Sequence, residues 1–463
     1  MRHRTVPRLV LLLAASLLPV IGGSMSASAD WLTYHADLAR SGADPSVPAM
    51  TNAITQRWAY PGLDGSAYAE PLVYGRMVIA ATENNSVYAI DAGTGNLLWS
   101  KNYGRPVPNS QLPCGNVDPV GITSTPVIDA ATGTLFAVGF MWDGSNSASI
   151  HYQLEAINLN NAGAELWHRT IAPTDPTYVF DPMIEGQRSA LSLANGTVYI
   201  PFGGRYGDCN SSIANYRSWT VGSATSGTGS LLSFPLPTPN GGGGTWASSG
   251  SAMDPSNNLY IATGNTFCSG GCAYDYGESV LKLSSSLSLL DHFAPSDWAS
   301  LNASDTDLAS VGPTLLGNNL LFQVGKAGAG YLLSTTNLGG SNHETPLFSG
   351  QVCNATADAA FGGVAYSAPY LYVPCSDHLE ALLVTTGATP SFTCDCVWRV
   401  LRPELHLYLL DVRSGHNPHR ELISRSTLAA ALITPGNPSA SCCDSDAAAC
   451  AAPSPRSGES APG

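Results

Sequence analysis

Polar residues that could bind or transform a ligand are concentrated in a few segments of the chain. Arg188 and Arg205 lie in two such segments, each beside a predicted strand end. Because a guanidinium offers several donors in a fixed geometry, the two arginines could bind an anionic group. They could equally pair with Asp181 or Asp208.

A second group lies between Gly241 and Gly340. Its candidate residues are Trp246, Asn265, Asp305, Asp307 and Lys326. Taken singly, the tryptophan could be a packing wedge and the asparagine, in the text TGN, a turn residue. The two aspartates could be loop caps or solvated charges, and the lysine a charge at a hairpin tip.

The cysteine spacing favours disulfides over a metal site. Candidate pairs are Cys268 with Cys272, Cys353 with Cys375, and Cys114 with Cys209. The sequence does not determine this connectivity, and the total of 11 cysteines leaves one unpaired. Zinc is a poor alternative, because two close C-x-x-C pairs are lacking and no histidine accompanies the cysteines.

Residues 1–29 have the pattern of a signal peptide. Three arginines precede the apolar run Leu9–Ile21, and Ala27-Ser28-Ala29 forms a cleavage pattern. We therefore expect a secreted protein, extracellular or periplasmic, whose cysteines meet an oxidising environment. The apolar run is short for a membrane span, although an uncleaved anchor is the alternative.

The net charge of -14 makes a nucleic-acid partner improbable on physical grounds, since phosphate binding requires a basic face. We expect a monomer without a membrane span after signal cleavage.

The stretch Val87–Trp99, which reads VYAIDAGTGNLLW, predicts two short strands joined by a turn. Asp91 can hydrogen-bond back into that turn, and Thr94-Gly95 can supply its positive backbone angle. Trp99 is too large for a lone hairpin, so we expect it to pack against a neighbouring copy of the same unit.

Further copies follow along the chain. Taking the position of Ile90 as the marker, they fall near Ile157, Phe234, Leu283, Leu333, Leu382 and Leu410. Several markers are about 50 residues apart, which fits a four-stranded propeller blade. Because sustained helical periodicity is lacking outside the leader, we predict an all-β fold, a β-propeller of about seven four-stranded blades whose last blade is incomplete.

The domain boundaries follow from composition. The signal peptide covers residues 1–29 and the propeller residues 30–415. Residues 416–463, rich in Pro, Ala and Ser, are expected to be a disordered or aberrant tail.

The repeat A-x-D-x-x-T-G-x-x-x-W at Ala89–Trp99 resembles the tryptophan-docking repeat of the pyrroloquinoline quinone (PQQ) propellers, the quinoprotein alcohol dehydrogenase superfamily. The amino-terminal text DWLTYHADLARSG is similar to the opening of such proteins, whose first strand often closes the ring. The segments GGGGTW, MDPSNNLYIATGN, DHFAPSDW and VGKAGAGYLL follow one another as comparable segments do in quinoprotein dehydrogenases.

This resemblance implies a role for each residue of the second group. Trp246 would lie flat against the quinone, and Asn265 would offer an oxygen to calcium. Asp305 or Asp307 would be the catalytic base, while Lys326 would donate to the quinone oxygens.

The sequence also departs from the family pattern. The adjacent cysteine pair of an early blade is replaced by an isolated Cys114, and Asp143 is a weak substitute for the expected acidic metal ligand of the second blade. A C-x-x-C-H haem site is lacking, so electrons would have to leave through a separate partner.

Two functions remain open at this point. The first is a scaffold that binds a small molecule, polysaccharide or protein at the propeller axis or face, a degenerate quinoprotein with Arg188 among its ligand contacts. The second is a PQQ- and calcium-dependent oxidoreductase acting on an alcohol or sugar. Hydrolysis by a nucleophilic serine has little support, because G-x-S-x-G does not occur where a strand would turn into a helix.

Overall fold

The computed structural model describes residues 30–44, 56–205, 216–268, 271–354 and 358–398. In this part of the chain β-strands dominate, and the one α-helix, α1 (Trp298–Ala303), is short. None of the described helices is long and apolar enough to cross a membrane. The expected signal peptide and tail lie outside the described residues.

The strands form six antiparallel sheets, in which consecutive strands pair side by side. Blade 1 contains β1 (Leu72–Tyr74), β2 (Met77–Ala81), β3 (Ser86–Asp91) and β4 (Leu97–Asn102). Blade 2 contains β5 (Val127–Asp129), β6 (Thr134–Met141), β7 (His151–Asn158) and β8 (Ala164–Thr170). Blade 3 contains β10 (Ser192–Ala194), β11 (Thr197–Gly204), β12 (Trp219–Ala224) and β13 (Leu232–Pro235), with β9 (Glu185–Gly186) added beside β11.

The last three sheets repeat this order. Blade 4 contains β14 (Ala252–Met253), β15 (Leu259–Ala262), β16 (Val280–Leu283) and β17 (Leu289–Phe293). Blade 5 contains β18 (Thr314–Gly317), β19 (Leu320–Val324), β20 (Ala329–Ser334) and β21 (Phe348–Gln351). Blade 6 contains β22 (Ala365–Ser367), β23 (Tyr370–Pro374), β24 (Leu379–Thr385) and β25 (Ser391–Trp398).

The architecture is the predicted all-β propeller, with six four-stranded blades in the described residues. The core lies between successive sheets, where buried side chains of one blade meet those of the next. The seventh marker, Leu410, lies outside the described residues, so a seventh blade stays a prediction.

The unit at Val87–Trp99 has the predicted local structure. The Asp91 carboxylate accepts hydrogen bonds from the Gly93 and Thr94 backbone amides at 3.0 and 2.8 Å. Gly95 has φ of +74°, a conformation that favours glycine. The turn therefore forms as its residue types require.

Tryptophans dock on turn glycines of the following blade. A Cβ atom at Gly163 of blade 2 would overlap the indole of Trp99, and one at Gly227 of blade 3 would overlap Trp167. Each of these glycines also has positive φ. The expected packing of an indole on the next copy is confirmed, and it requires a residue without a side chain on the receiving blade.

The amino-terminal segment, residues 31–42, crosses the propeller axis and contacts the first strand of every described blade. We call it the axial segment. Its hydrogen bonds reach Val73, Ile128, Ser192, Met253, Leu315 and Tyr366, one on each innermost strand. The family resemblance suggested a strand that closes the ring, whereas these residues fill the centre.

Arg40 holds the axial segment in place. Its guanidinium is fully buried and donates to the Ser251 and Leu191 carbonyl oxygens at 2.9 and 3.0 Å, and to the Ser192 hydroxyl at 2.8 Å. It also donates to Thr33 Oγ1 and to the Tyr34 carbonyl oxygen within the segment. One side chain thus joins the segment to blades 3 and 4.

We expect Arg40→Met to destabilise the protein by about 3 kcal/mol or more, because it leaves several buried acceptors without donors. Thermal unfolding followed by circular dichroism measures the change. Arg76→Met is the matched control, since Arg76 is 77% exposed and its ion pair with Asp91 lies at the surface. A melting temperature for Arg40→Met equal to that of the control would show that the hydrogen bonds of Arg40 do not stabilise the propeller.

Candidate functional site

The candidate residues of the second group lie on one face of the propeller. We call this the loop face, because it gathers the loops between second and third strands and the segments that lead into each first strand. Asn265 lies in the loop after β15 and Lys326 in the turn after β19. Trp246 precedes β14, and Asp305 and Asp307 lie between α1 and β18.

Lys326 is the centre of this group. Its Nζ lies 2.7 Å from Asp307 Oδ2 and 3.2 Å from Asp305 Oδ2, and it also donates to the Asp305 carbonyl oxygen at 3.0 Å. Asp358 Oδ1 is 3.9 Å away. The ammonium therefore links residues that the chain supplies from two blades.

Asp307 and Asp305 have different environments. The Asp307 side chain is 5% exposed, whereas that of Asp305 is 74% exposed. Asp307 Oδ1 accepts a hydrogen bond from the Asn265 backbone amide at 2.9 Å. Gly264 permits this approach, because a Cβ atom there would overlap the same carboxylate oxygen. Of the two aspartates, Asp307 is the one held in a defined position.

Trp246 forms an aromatic wall beside the lysine. Lys326 Nζ lies 5.6 Å from the centre of the indole, within the range of a cation–π contact. The indole is half-buried, and the Phe361 ring packs beside it with ring centres 6.1 Å apart. A planar group could therefore lie against an aromatic surface with an ammonium at its edge.

Glu278 is an acidic neighbour that the sequence did not identify as functional. It is fully buried, its Oε2 accepts from the Leu308 backbone amide at 2.6 Å, and its Oε1 has no hydrogen bond. Its place just before β16, after a glycine, is the only local signal. This local signal does not predict that Glu278 is buried.

The charges at this site have shifted pKa values. Burial raises the pKa of Asp307, and the Lys326 ammonium opposes the rise. Burial, and then the charge of Asp307, raises the pKa of Glu278 well above its usual range. Burial lowers the pKa of Lys326, but its pairing with Asp307 and Asp305 outweighs this effect and the net direction is upward.

Arg188 belongs to a second polar group on the loop face. It lies within electrostatic range of Glu83, Tyr152 and Arg205. Arg205 is buried, stacks on the Phe140 ring at 4.3 Å and donates to the Tyr152 hydroxyl. Burial raises the pKa of Glu83 to about 7, and the two arginines oppose the rise.

The two polar groups approach each other near Trp246. A Cβ atom at Gly203, on the strand that leads to Arg205, would lie 3.0 Å from the Trp246 Cβ. The carboxylates of Asp307 and Glu185 both raise the pKa of Tyr216, after its burial. Tyr216 therefore lies between the acidic residues of the two groups.

Some of the acidic residues and cysteines that the sequence pointed to lie within the described residues, and others lie outside them. Asp143 accepts hydrogen bonds from the Ser145 amide and hydroxyl and so closes its own loop. The predicted disulfides Cys268–Cys272 and Cys353–Cys375 are present. Cys209 and Asp208 lie outside the described residues, so their pairings stay predictions.

The residues fit a planar ligand better than they fit calcium. The Asn265 side-chain amide has no hydrogen-bond partner within the described residues, and Glu278 Oε1 is an orphaned oxygen. A calcium ion takes 6–8 oxygen ligands, whereas Asn265, Asp307 and Glu278 supply three side chains and Asp307 already binds Lys326. Among the described residues, clusters of three metal-ligating side chains occur elsewhere.

We expect Glu278→Gln to stabilise the protein at high pH. With a raised pKa in the folded state, the stability contributed by the protonated Glu278 is lost as pH rises through that pKa. The difference in melting temperature between variant and wild type should therefore widen from about pH 5 to about pH 8. The control is Glu344→Gln, at an exposed position, and a constant difference across this range would contradict the assignment.

The comparisons with known proteins agree with the fold. A family model described as outer membrane protein assembly factor BamB, a PQQ-repeat model, matches residues 53–205. No curated protein matches the sequence.

Three solved structures illustrate the likeness. A quinohemoprotein alcohol dehydrogenase from Pseudomonas putida HK5 is 16% identical, with a TM-score of 0.54 over 78% of this chain and 58% of that chain. The enzyme of the same type from Comamonas testosteroni is 17% identical, with a TM-score of 0.54 over 78% of this chain and 59% of that chain. A europium-containing methanol dehydrogenase is 16% identical, with a TM-score of 0.51 over 80% and 73% of the two chains.

At these identities the likeness concerns the fold alone, and the chain spans less than two thirds of the length of the two alcohol dehydrogenases. The same fold is indicated by the docked tryptophans, by the four-stranded blades and by the structural neighbours. The chain therefore has the fold of the PQQ-repeat β-propellers, and its residues 53–205 match the PQQ-repeat family model.

Proposed function

We propose that this protein is a ligand-binding propeller whose site lies on the loop face around Trp246, Asp307 and Lys326. The ligand is a planar small molecule with oxygen acceptors, of which a quinone such as PQQ is the representative. The observation that carries the proposal is the convergence of an indole and an ammonium at 5.6 Å, from segments 80 residues apart in sequence.

The physical basis is the division of roles within the site. The indole supplies a flat apolar surface, which favours a planar ligand over a flexible polysaccharide. The ammonium supplies a positive charge that is mostly shielded from water, since the Lys326 side chain is 11% exposed. Arg188, in the other polar group, would bind a second anionic group of a larger ligand.

The cellular setting is part of the proposal. The two disulfides of the described residues favour an oxidising compartment, which agrees with the export expected from residues 1–29. We propose that the mature chain works after export, outside the cytosol.

Binding of PQQ to the purified full chain tests the proposal, with calcium present and absent. Quinone absorbance and quenching of tryptophan fluorescence measure the dissociation constant. We expect Trp246→Leu to weaken binding about tenfold, the equivalent of about 1.4 kcal/mol of lost aromatic contact. Trp142→Leu is the control, because Trp142 is a half-buried tryptophan that stacks with Arg105 in blade 2.

Failure of the wild-type chain to bind PQQ in either condition would exclude the quinone class. Equal weakening by both tryptophan variants would point to a general loss of structure rather than to a site at Trp246.

A second candidate function is a PQQ- and calcium-dependent oxidoreductase that acts on an alcohol or sugar. The observation that favours it is the contact of 2.7 Å between Lys326 and the buried carboxylate of Asp307. The bound quinone would supply the two-electron chemistry. Asp307 would accept the proton of a substrate hydroxyl, and Lys326 would neutralise negative charge that develops on ligand oxygens.

Asp305 and Asp307 differ in burial, so the second candidate function predicts a different effect for each substitution. We expect Asp307→Asn to lower alcohol-dependent dye reduction by about 100-fold or more, and the exposed Asp305→Asn to have a small effect. Because a base acts in its ionised form, the wild-type rate should rise with pH through the raised pKa of Asp307. Dye reduction that is unaffected by Asp307→Asn would exclude this residue as the base.

A further inference from the structure

A separate group of metal-ligating side chains lies on the outer half of blade 2. Glu155 on β7 lies directly opposite His168 on β8. Glu165, also on β8, is paired with Ile157, two residues beyond Glu155 along β7. One ligand atom from each of the three residues lies within 4.8 Å of the others. Glu155 and His168 are 13 positions apart in sequence, and the antiparallel pairing of β7 with β8 brings their side chains together.

Glu155 is unusual because its carboxylate is buried without full compensation. The residue is 0% exposed, and its Oε1 accepts a hydrogen bond from Gln153 Nε2 at 2.6 Å. Its Oε2 is buried and has no hydrogen bond. Among the described residues, Glu155 forms no ion pair with a lysine or arginine.

A buried carboxylate oxygen without a partner costs free energy unless a proton or a cation occupies it. Burial raises the pKa of Glu155 to about 7, and the Gln153 amide opposes the rise.

The other two residues leave this site open to solvent. His168 Nδ1 lies 2.6 Å from Glu165 Oε1, and their side chains are 52% and 44% exposed. Tyr103, which follows β4 of blade 1, lies within electrostatic range of Glu155 and Glu165, and its hydroxyl donates to the Gly163 carbonyl oxygen at 2.7 Å. A metal ion could enter from solvent and meet the buried oxygen of Glu155.

We propose that Glu155, Glu165 and His168 bind a divalent transition-metal ion, with zinc as the best fit. One imidazole nitrogen with two carboxylate oxygens suits zinc, whereas calcium and magnesium prefer oxygen ligands alone. Zinc bonds to these atoms are about 2.0–2.2 Å long, and the two exposed side chains can rotate to reach that distance. Water completes the coordination on the exposed side.

A second group of the same kind, Asp291 with His292 and His343, is a weaker candidate and serves as an internal comparison. Asp291 Oδ1 accepts from the His292 backbone amide, and its Oδ2 accepts from the Leu338 backbone amide. Both carboxylate oxygens are thus already compensated, unlike Oε2 of Glu155.

The test uses the full chain after removal of metal by a chelator. Zinc is titrated in competition with a chromophoric chelator, and cobalt, as a spectroscopic substitute, reports the ligand geometry by its visible absorption. We expect one tight equivalent of zinc, weakened at least tenfold by His168→Ala and by Glu155→Gln. His343→Ala, in the comparison group, should retain that equivalent with unchanged affinity.

Loss of folding is a minor concern in this test, because the His168 side chain is 52% exposed and substitutions at exposed positions usually cost little stability. Circular dichroism and the melting temperature of each variant establish that it is folded. The proposal is overturned if the wild-type chain takes up no zinc, if His168→Ala and Glu155→Gln bind zinc as the wild type does, or if only His343→Ala loses the tight equivalent.

Discussion

The architecture depends on the buried guanidinium of Arg40. A ring of sheets encloses an axial space, and here residues 31–42 fill it with backbone and side-chain hydrogen bonds to the innermost strand of each described blade. A peptide segment can occupy such a place only if its polar groups find partners, because water is excluded there. Arg40 supplies donors to carbonyl oxygens of blade 3 and blade 4 at once, and so joins the axial segment to two neighbouring blades that lie 151 and 211 residues further along the chain.

The contacts between blades differ between the early and the later part of the chain. Early blades pair an indole with a glycine of positive φ, and Trp58 occupies the same place on Gly95 that Trp99 occupies on Gly163. Later blades use aromatic pairs instead, such as Phe293 with Tyr331 and Phe348 with Phe392. Both solutions place aromatic rings between successive blades, so the fold tolerates loss of the tryptophan motif.

The loop face brings charged residues together around Asp307 and Lys326. Asp307 lies in the connection that leads into blade 5, and Lys326 lies in the turn after β19 of the same blade. Gly264 of blade 4 leaves the space that the Asp307 carboxylate occupies. Glu278 adds a buried acid at the same place, so the site combines one ammonium with several carboxyl groups.

The sequence by itself determined the features that depend on near neighbours in the chain. The Asp91 turn, the positive angle at Gly95 and the strand repeat all follow from residue types at short or regular spacing. The sequence offered Cys268–Cys272 and Cys353–Cys375 as candidate pairs, and the structure decided this connectivity. Only the tertiary structure decided which of Asp305 and Asp307 is buried, that Trp58 docks on blade 1, that the amino-terminal segment fills the axis, and that Glu155 faces His168. The physical reason is that burial and strand register are set by contacts between segments tens to hundreds of residues apart, and the type of a residue does not encode which distant groups will surround it.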